Sequence, residues 1–261
     1  MKIAVVKLSG KSIAEFLNDN KWINNIQKLQ ENFDGVIIVH GAGISITNWL
    51  NALGHKSEFI DGQRVTCDKT MEVVAAVQGG LLNSQIVSRL NANGIKATGL
   101  SGVDRGSFVA ENTNEELGFV GVPIQVSSTD WMLDLTAGNV VPVISSICRD
   151  KDGNLMNVNA DIFTEALSAS INAECVFFIS DVDGVKLNGS IQSEINEQDI
   201  LQGIDNGQIS DGMIPKLNSC VSLLKKGIKK VWIGSDKLEE LFNDTASTNT
   251  KGTWVVQTAQ S

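Results

Sequence analysis

The chain has 261 residues, 42% of them hydrophobic and 20% charged, with 3 prolines; that suffices for one large α/β domain or two lobes sharing a sheet, and it excludes a disordered chain. The formal net charge of −9 excludes a broad basic surface for nucleic acid, so an anionic ligand has to be held by a few local cations. The first apolar run, broken by Lys7, is far too short for a signal segment or a membrane span, and the expected address is the cytosol.

In chain order, "IAVVKL" (3–8) reads as a strand buried on both faces, because its apolar run is continuous rather than alternating. It carries Lys7, an ammonium that is costly to bury without a partner. The next residues, "SGKS" (9–12), look like the end of a P-loop, but the glycine required five positions before Gly10 is Val5, inside the strand. A second buried strand, "GVIIVH" (35–40), enters "HGAGIS" (40–45), which is no dinucleotide fingerprint because Ile46 stands where its last glycine belongs. What remains is two small-residue turns, each following a strand and opening a helix, with backbone N–H groups suited to an anion. In an open parallel sheet both turns lie in the crevice beyond the carboxyl ends of the strands. His40 reads as a strand-end residue rather than a catalyst.

Further on, "GQRVTCDKTMEVV" (62–74) places Arg64 just before a helix capped by Thr66 or Asp68, and a guanidinium fork suits bidentate capture of a carboxylate. "GSFVAENT" (106–113), "GFVGVPIQV" (118–126) and "RDKDGNLMNV" (149–158) read as hairpins at the rim of the sheet, the last turning at Asp152 and Gly153. "VVPVIS" (140–145) is a third buried strand. "LMNVNADIF" (155–163) sets Asn157, Asn159 and Asp161 at alternate positions entering a helix, with Asn159 as its cap. A helix over 162–172 leads to the strand "CVFFIS" (175–180). "ISDGMIPKLNSC" (209–220) has a turn at Asp211 and Gly212, Pro215 in a first helical turn, and Lys216 at a helix start, against the dipole unless an anion is near. The helix over 217–227 ends among Lys225, Lys226, Lys229 and Lys230, which need only solvent and the dipole there, and "KVWIG" (230–234) is the last strand. This alternation implies a mainly parallel sheet between layers of helices. Cys67, Cys148, Cys175 and Cys220 are scattered and read as reduced core thiols.

Together "KLSG", "VHGAG", "GQRVT", "MNVNAD", "SDVDGV" and "DGMIPKL", ordered along residues 3 to about 256, resemble the N-acetylglutamate kinases of the amino-acid kinase superfamily. The resemblance implies an α/β fold: an open, mainly parallel eight-stranded sheet in a three-layer αβα sandwich. It implies an N-lobe (1–172) that binds an N-acyl-L-glutamate and dimerises, and a C-lobe (173–261) that binds ATP. The implied reaction is phosphorylation of the side-chain carboxylate in arginine biosynthesis, with Mg²⁺ accompanying ATP. By this resemblance Lys7 and Lys216 neutralise the transferring phosphoryl group from its two ends and Asp161 holds both lysines. The N–H groups of Gly10 and Ala42 would touch phosphoryl oxygens. Ala42 and Gly43 would line the substrate, and Arg64 and Asn157 would bind its α-carboxylate. Ser180, Asp181, Val182, Asp183, Gly184, Val185 and Lys186, with Gln208, Ile209, Ser210 and Gly212, would flank the nucleotide.

Two departures from the family pattern stand out: Ser9 and Ala42 occupy positions that are usually glycine. Either can supply the same N–H, provided the backbone there does not need a positive φ. The Cβ of Ala42 narrows the pocket beside the acyl group and, with Gln63 and Cys67 around Arg64, leaves acetyl and succinyl both open. The chain begins at its first strand, without the extra N-terminal helix of hexameric, arginine-inhibited members, so a homodimer with little arginine feedback is expected. Competing readings are another small-molecule kinase of the superfamily and a catalytically silent metabolite sensor. Lys7, Lys216 and Asp161 argue against the sensor, which has no use for a phosphoryl clamp.

Overall fold

A computed structural model describes residues 1–180, 182–209, 212–235, 238–242 and 252–258. The chain opens with β1 (Ile3–Leu8), α1 (Gly10–Asn18), α2 (Lys21–Asn32), β2 (Gly35–His40) and α3 (Gly43–Ala52). A tight hairpin follows, β3 (Phe59–Ile60) and β4 (Gln63–Arg64). Its turn residues Asp61 and Gly62 both take positive φ, 49° and 76°, which matches the right-handed twist of the two strands. Next, α4 (Asp68–Val74), a π-helical segment (Ala75–Leu82) and α5 (Asn83–Ala92) form one unbroken helical rod. It leads to β5 (Ala97–Ser101), β6 (Phe108–Glu111), β7 (Val120–Gln125), α6 (Asp130–Ala137), β8 (Val141–Ser145), β9 (Ile147–Arg149), β10 (Leu155–Val158) and α7 (Ala160–Ser170). The remainder holds β11 (Cys175–Ile179), the short β12 (Lys186–Leu187), β13 (Ser190–Ile191) and β14 (Glu194–Ile195), then α8 (Glu197–Asp205), α9 (Ile214–Lys225), β15 (Lys230–Gly234) and β16 (Thr253–Val256). The helices expected over 162–172 and 217–227 thus begin two and three residues earlier.

Eight strands form the central sheet in the order β14-β16-β15-β11-β1-β2-β8-β5, and every neighbouring pair is parallel except β15 with β16. Alternation along β1 splits the core in two. Ile3 and Val5 face Phe163 of α7 and Leu217 of α9, whereas Ala4, Val6 and Leu8 face Phe16, Trp22 and Ile86 on the other layer of helices. Lys7 shares the face of Ile3 and Val5, so it projects toward α7 and α9. Leu8 lies level with His40 on one side and Ile179 on the other, which brings the carboxyl ends of β1, β2 and β11 to one edge. Among the described residues no helix is long and apolar enough to cross a membrane.

Three expectations need correction. The hairpins expected at the rim of the sheet pair with each other instead, as a separate closed barrel β10-β7-β6-β9; β6 with β7 and β9 with β10 are antiparallel, and two parallel contacts close the ring. The cap of α4 is Cys67, not Thr66 or Asp68. Thr66 is unavailable because its hydroxyl donates to the Arg64 carbonyl at 2.8 Å and accepts from Asn157 at 3.1 Å. Being at that cap, Cys67 is exposed, and only Cys148, Cys175 and Cys220 are core thiols.

Candidate active site

The turns after β1 and β2 build the floor of a cavity of about 240 Å³. Ser9 caps α1, its Oγ accepting from the Ser12 N–H at 3.2 Å, and Ala42 precedes the first turn of α3. Their φ angles are −73° and −152°, so neither position needs glycine and both side chains fit without strain. The first N–H groups of each helix have no partner within it and carry the positive end of its dipole. Ser9, Gly10, Ala42 and Gly43 all line the cavity.

Lys7 enters from the end of β1 and meets the first turn of α7, where its ammonium sits 2.6 Å from Asp161 Oδ1. Both side chains are mostly enclosed, at 13% and 27% exposure. Asn159 orients that turn by accepting from the N–H of Asp161 at 2.8 Å, as the cap expected from the sequence.

The β3–β4 hairpin delivers Arg64 to the same cavity, 7% exposed and 4.7 Å from the centre of the Phe59 ring. Its guanidinium donates to the Gly43 carbonyl at 2.9 Å, to Thr47 Oγ1 at 2.8 Å and to Ser57 Oγ. No carboxylate pairs with it among the described residues, and burial pulls its pKa downward. Asn157 stands beside it, joined through Thr66, and also lines the cavity. Seven of the expected residues, Lys7, Gly10, Ala42, Gly43, Arg64, Asn157 and Asp161, therefore share one cavity.

A second cavity, of about 440 Å³, gathers Val182, Asp183, Gly184, Val185, Lys186, Gln208 and Ile209. Asp181 and Ser210, with the turn residue Asp211, lie outside the described residues. Gly212 precedes α9 and does not line this cavity. Lys216, in the first turn of α9, donates to Ser180 Oγ at 2.7 Å, just past the end of β11. That strand is the neighbour of β1, so the two lysines arrive at adjacent strand ends from different layers of the chain. Glu165 of α7 ties the helix of Asp161 to that of Lys216: its carboxylate accepts from Ser222 of α9 at 2.6 Å and from Lys226 at 3.1 Å. Burial above all, helped by the charges of Asp161 and Glu165, drives the Cys220 thiol pKa upward.

Sequence reasoning missed Gln78 and Ser146, which line the first cavity and bond to each other at 2.9 Å. The signal available was a glutamine within a helical apolar stripe. His40 is wholly buried, accepts from Asn83 Nδ2 at 3.0 Å through Nε2, and has its pKa lowered to about 4 by burial. It is absent from the cavity lining.

Residues 2–235 match the model of the amino acid kinase family. The chain belongs to that family. It is 36% identical over 253 residues to the acetylglutamate kinase of Campylobacter hominis, covering 93% of this chain and 88% of the relative, and 34% identical over 232 residues to that of Ruegeria pomeroyi, covering 88% and 80%. Among solved structures the fold resembles smu.665 of Streptococcus mutans, with a TM-score of 0.80 at 22% identity over 97% of this chain and 98% of that one. It also resembles the carbamate kinase of Giardia lamblia bound to AMP-PNP, with a TM-score of 0.67 at 16% identity over 98% and 99%.

For an amino acid kinase the site has a legible chemistry. It offers ammonium, guanidinium and backbone N–H donors, and among the described residues no histidine lines the first cavity. Such a set suits the meeting of two anions, in which positioning and charge stabilisation dominate over proton transfer.

Proposed function

We propose that this chain is an acetylglutamate kinase, transferring the γ-phosphoryl group of ATP to the side-chain carboxylate of N-acetyl-L-glutamate in arginine biosynthesis. The observation that carries the reading is one cavity lined by the Lys7–Asp161 pair and by Arg64, which has no carboxylate partner among the described residues, in a chain whose curated relatives are acetylglutamate kinases. The acceptor carboxylate is already ionised at pH 7, so no general base is required. Lys7 and Lys216 offset the repulsion between acceptor and phosphoryl group, the first-turn N–H groups at Gly10 and Ala42 bind the phosphoryl oxygens, and Asp161 orients the lysines. One preorganised donor of this kind contributes about 3 kcal/mol. Arg64 and Asn157 hold the α-carboxylate, which does not react.

ATP lies along 180–186 and 208–212, in the C-lobe (173–261), against the acylamino-acid lobe (1–172). Among the described residues no group of three or more His, Cys, Asp or Glu is gathered to hold an ion. We assign Mg²⁺ to the nucleotide phosphates and water rather than to a protein cage. The active species is a homodimer; the exposed Trp49, Leu53 and Leu81, around an apolar hollow with Val73 and Val77, are the surface offered for it, and light scattering at the mass of one chain would refute this.

The test is ADP release over N-acetyl-, N-succinyl- and free L-glutamate, with hydroxylamine trapping of the acyl phosphate. Trapped product from N-acetylglutamate is expected. Product from none of the three removes the proposal.

A further inference from the structure

Gln78 has no part in the chemistry above, yet it is 2% exposed and lines the same cavity as Lys7 and Arg64. It sits in the π-helical segment between α4 and α5, and such wide turns displace side chains from ordinary helical phase and recur at functional sites. Its orientation follows from a short chain of bonds. Ser146 Oγ donates its only proton to the Val158 carbonyl at 2.8 Å, so it can only accept from Gln78 Nε2, at 2.9 Å. That fixes which end of the carboxamide is which. One N–H and the carbonyl oxygen of Gln78 make no hydrogen bond among the described residues, and the oxygen is not one of the fully buried unpartnered atoms, so it opens on the cavity that Gln78 lines; a ligand that enclosed this carboxamide would have to satisfy it.

We propose that Gln78 reads the N-acyl group of the substrate: its remaining N–H donates to the acyl carbonyl oxygen, and Ser146 is the positioning residue behind it. This deepens the kinase reading and rests on it. The assignment follows from matching charge to charge. The two carboxylates of the substrate have cationic partners in Lys7 and Arg64, whereas a neutral carboxamide in a cavity also lined by Ile46, Val120 and Val158 suits a neutral amide and its methyl. The ammonium of unacylated glutamate offers no acceptor to that N–H and would be desolvated against apolar walls, so Gln78 selects the acylated substrate against the free amino acid.

The experiment measures kcat, KM and melting temperature for wild type, Gln78→Leu, Gln78→Met and Ser146→Ala with N-acetyl-, N-formyl- and free L-glutamate. In both Gln78 variants KM for the N-acetyl and N-formyl substrates is expected to rise about 10- to 100-fold, with kcat and the KM for ATP nearly unchanged. Activity on free glutamate should stay level, so the preference for acylated substrate collapses by the same factor. Ser146→Ala, which keeps Gln78 but removes its anchor, should show a smaller loss with the same selectivity. N-formylglutamate retains the carbonyl without the methyl, so a loss confined to the N-acetyl substrate means lost packing and overturns the inference. An unchanged ratio of acylated to free substrate in the variants that fold overturns it as well. If wild type phosphorylates N-acetylglutamate while these ratios hold, the inference alone fails; if wild type phosphorylates none, the kinase reading fails with it.

Discussion

His40 gives the chain an acid limit whose size follows from its surroundings. The imidazole is wholly buried at the end of β2, accepting from Asn83 through Nε2 and facing the Gly41 carbonyl through Nδ1. Both contacts suit the neutral ring with its proton on Nδ1. Burial holds its pKa at about 4 against an ordinary 6.5. Between those values the unfolded chain binds a proton that the folded chain refuses, so stability rises with pH across the window and is lost as pH falls through it. At 1.36 kcal/mol per pKa unit the full difference is about 3 kcal/mol, a large part of a typical folding free energy of about 5–15 kcal/mol. The assay is urea unfolding from pH 7.5 to 4.5, on wild type and on His40→Gln, whose amide does not titrate. Carboxylates contribute equally to both chains, so the difference in unfolding free energy isolates His40 and should shrink by about 3 kcal/mol toward the acid end. A difference that stays flat between pH 7 and 4.5 would show that the ring titrates normally, and the account of His40 as a neutral brace for the Gly41–Gly43 turn would fall.

Lys216→Ala is expected to lower kcat by about 100-fold or more with a modest change in KM for either substrate, as loss of a transition-state contact requires; steady-state kinetics showing unchanged turnover would make this lysine structural. Arg64→Ala should instead raise KM for N-acetylglutamate about 10- to 100-fold, the cost of a charged hydrogen bond to a non-reacting group, and a rise confined to the KM for ATP would contradict its role. Under native conditions iodoacetamide should label Cys67 alone among the four cysteines, because it is exposed and hydrogen bonding from Thr70 lowers its pKa. Cys148 and Cys175 are buried with pKa values raised to about 12, and mass spectrometry finding either labelled as fast as Cys67 would refute the burial argument.

Five strands of the sheet were legible because strands buried on both faces become continuous apolar runs, a pattern that a surface strand does not show. β5, "ATGLS", escaped for the opposite reason: it lies at the sheet edge, and its Gly99 leaves room for Asn83, whose Oδ1 lies 2.0 Å from where a Cβ would stand. The barrel escaped because alternation reveals hairpins but not which hairpin pairs with which. In the site, Lys7, Arg64, Asn157 and Asp161 were visible through ordered motifs flanked by turn and cap signals. Gln78 was not, because a π-helical turn has no residue signature and a lone glutamine in an apolar stripe reads as a weak helix position. Only the pairing of Gln78 with Ser146, 68 positions away, makes it part of the cavity.

A chain with a net charge of −9 that takes two anionic substrates must create its attraction locally. Screening makes this possible, since exposed charges farther than about 8–10 Å away count for little at physiological salt. The parallel sheet supplies the means: successive strands must end on the same edge, so the helices that follow them start there. α1 and α3 follow β1 and β2 directly, and their amino ends reach one cavity together with that of α7. Lys7 and Arg64 complete that convergence, and Lys216 approaches the neighbouring strand end. Lys216 is the costly member, since an ammonium in the first turn of α9 opposes the helix dipole. The Ser180 hydroxyl accepts from it. On the proposed reading an arriving phosphoryl group brings negative charge to that helix start, so the dipole and the ammonium both hold the charge that migrates during transfer.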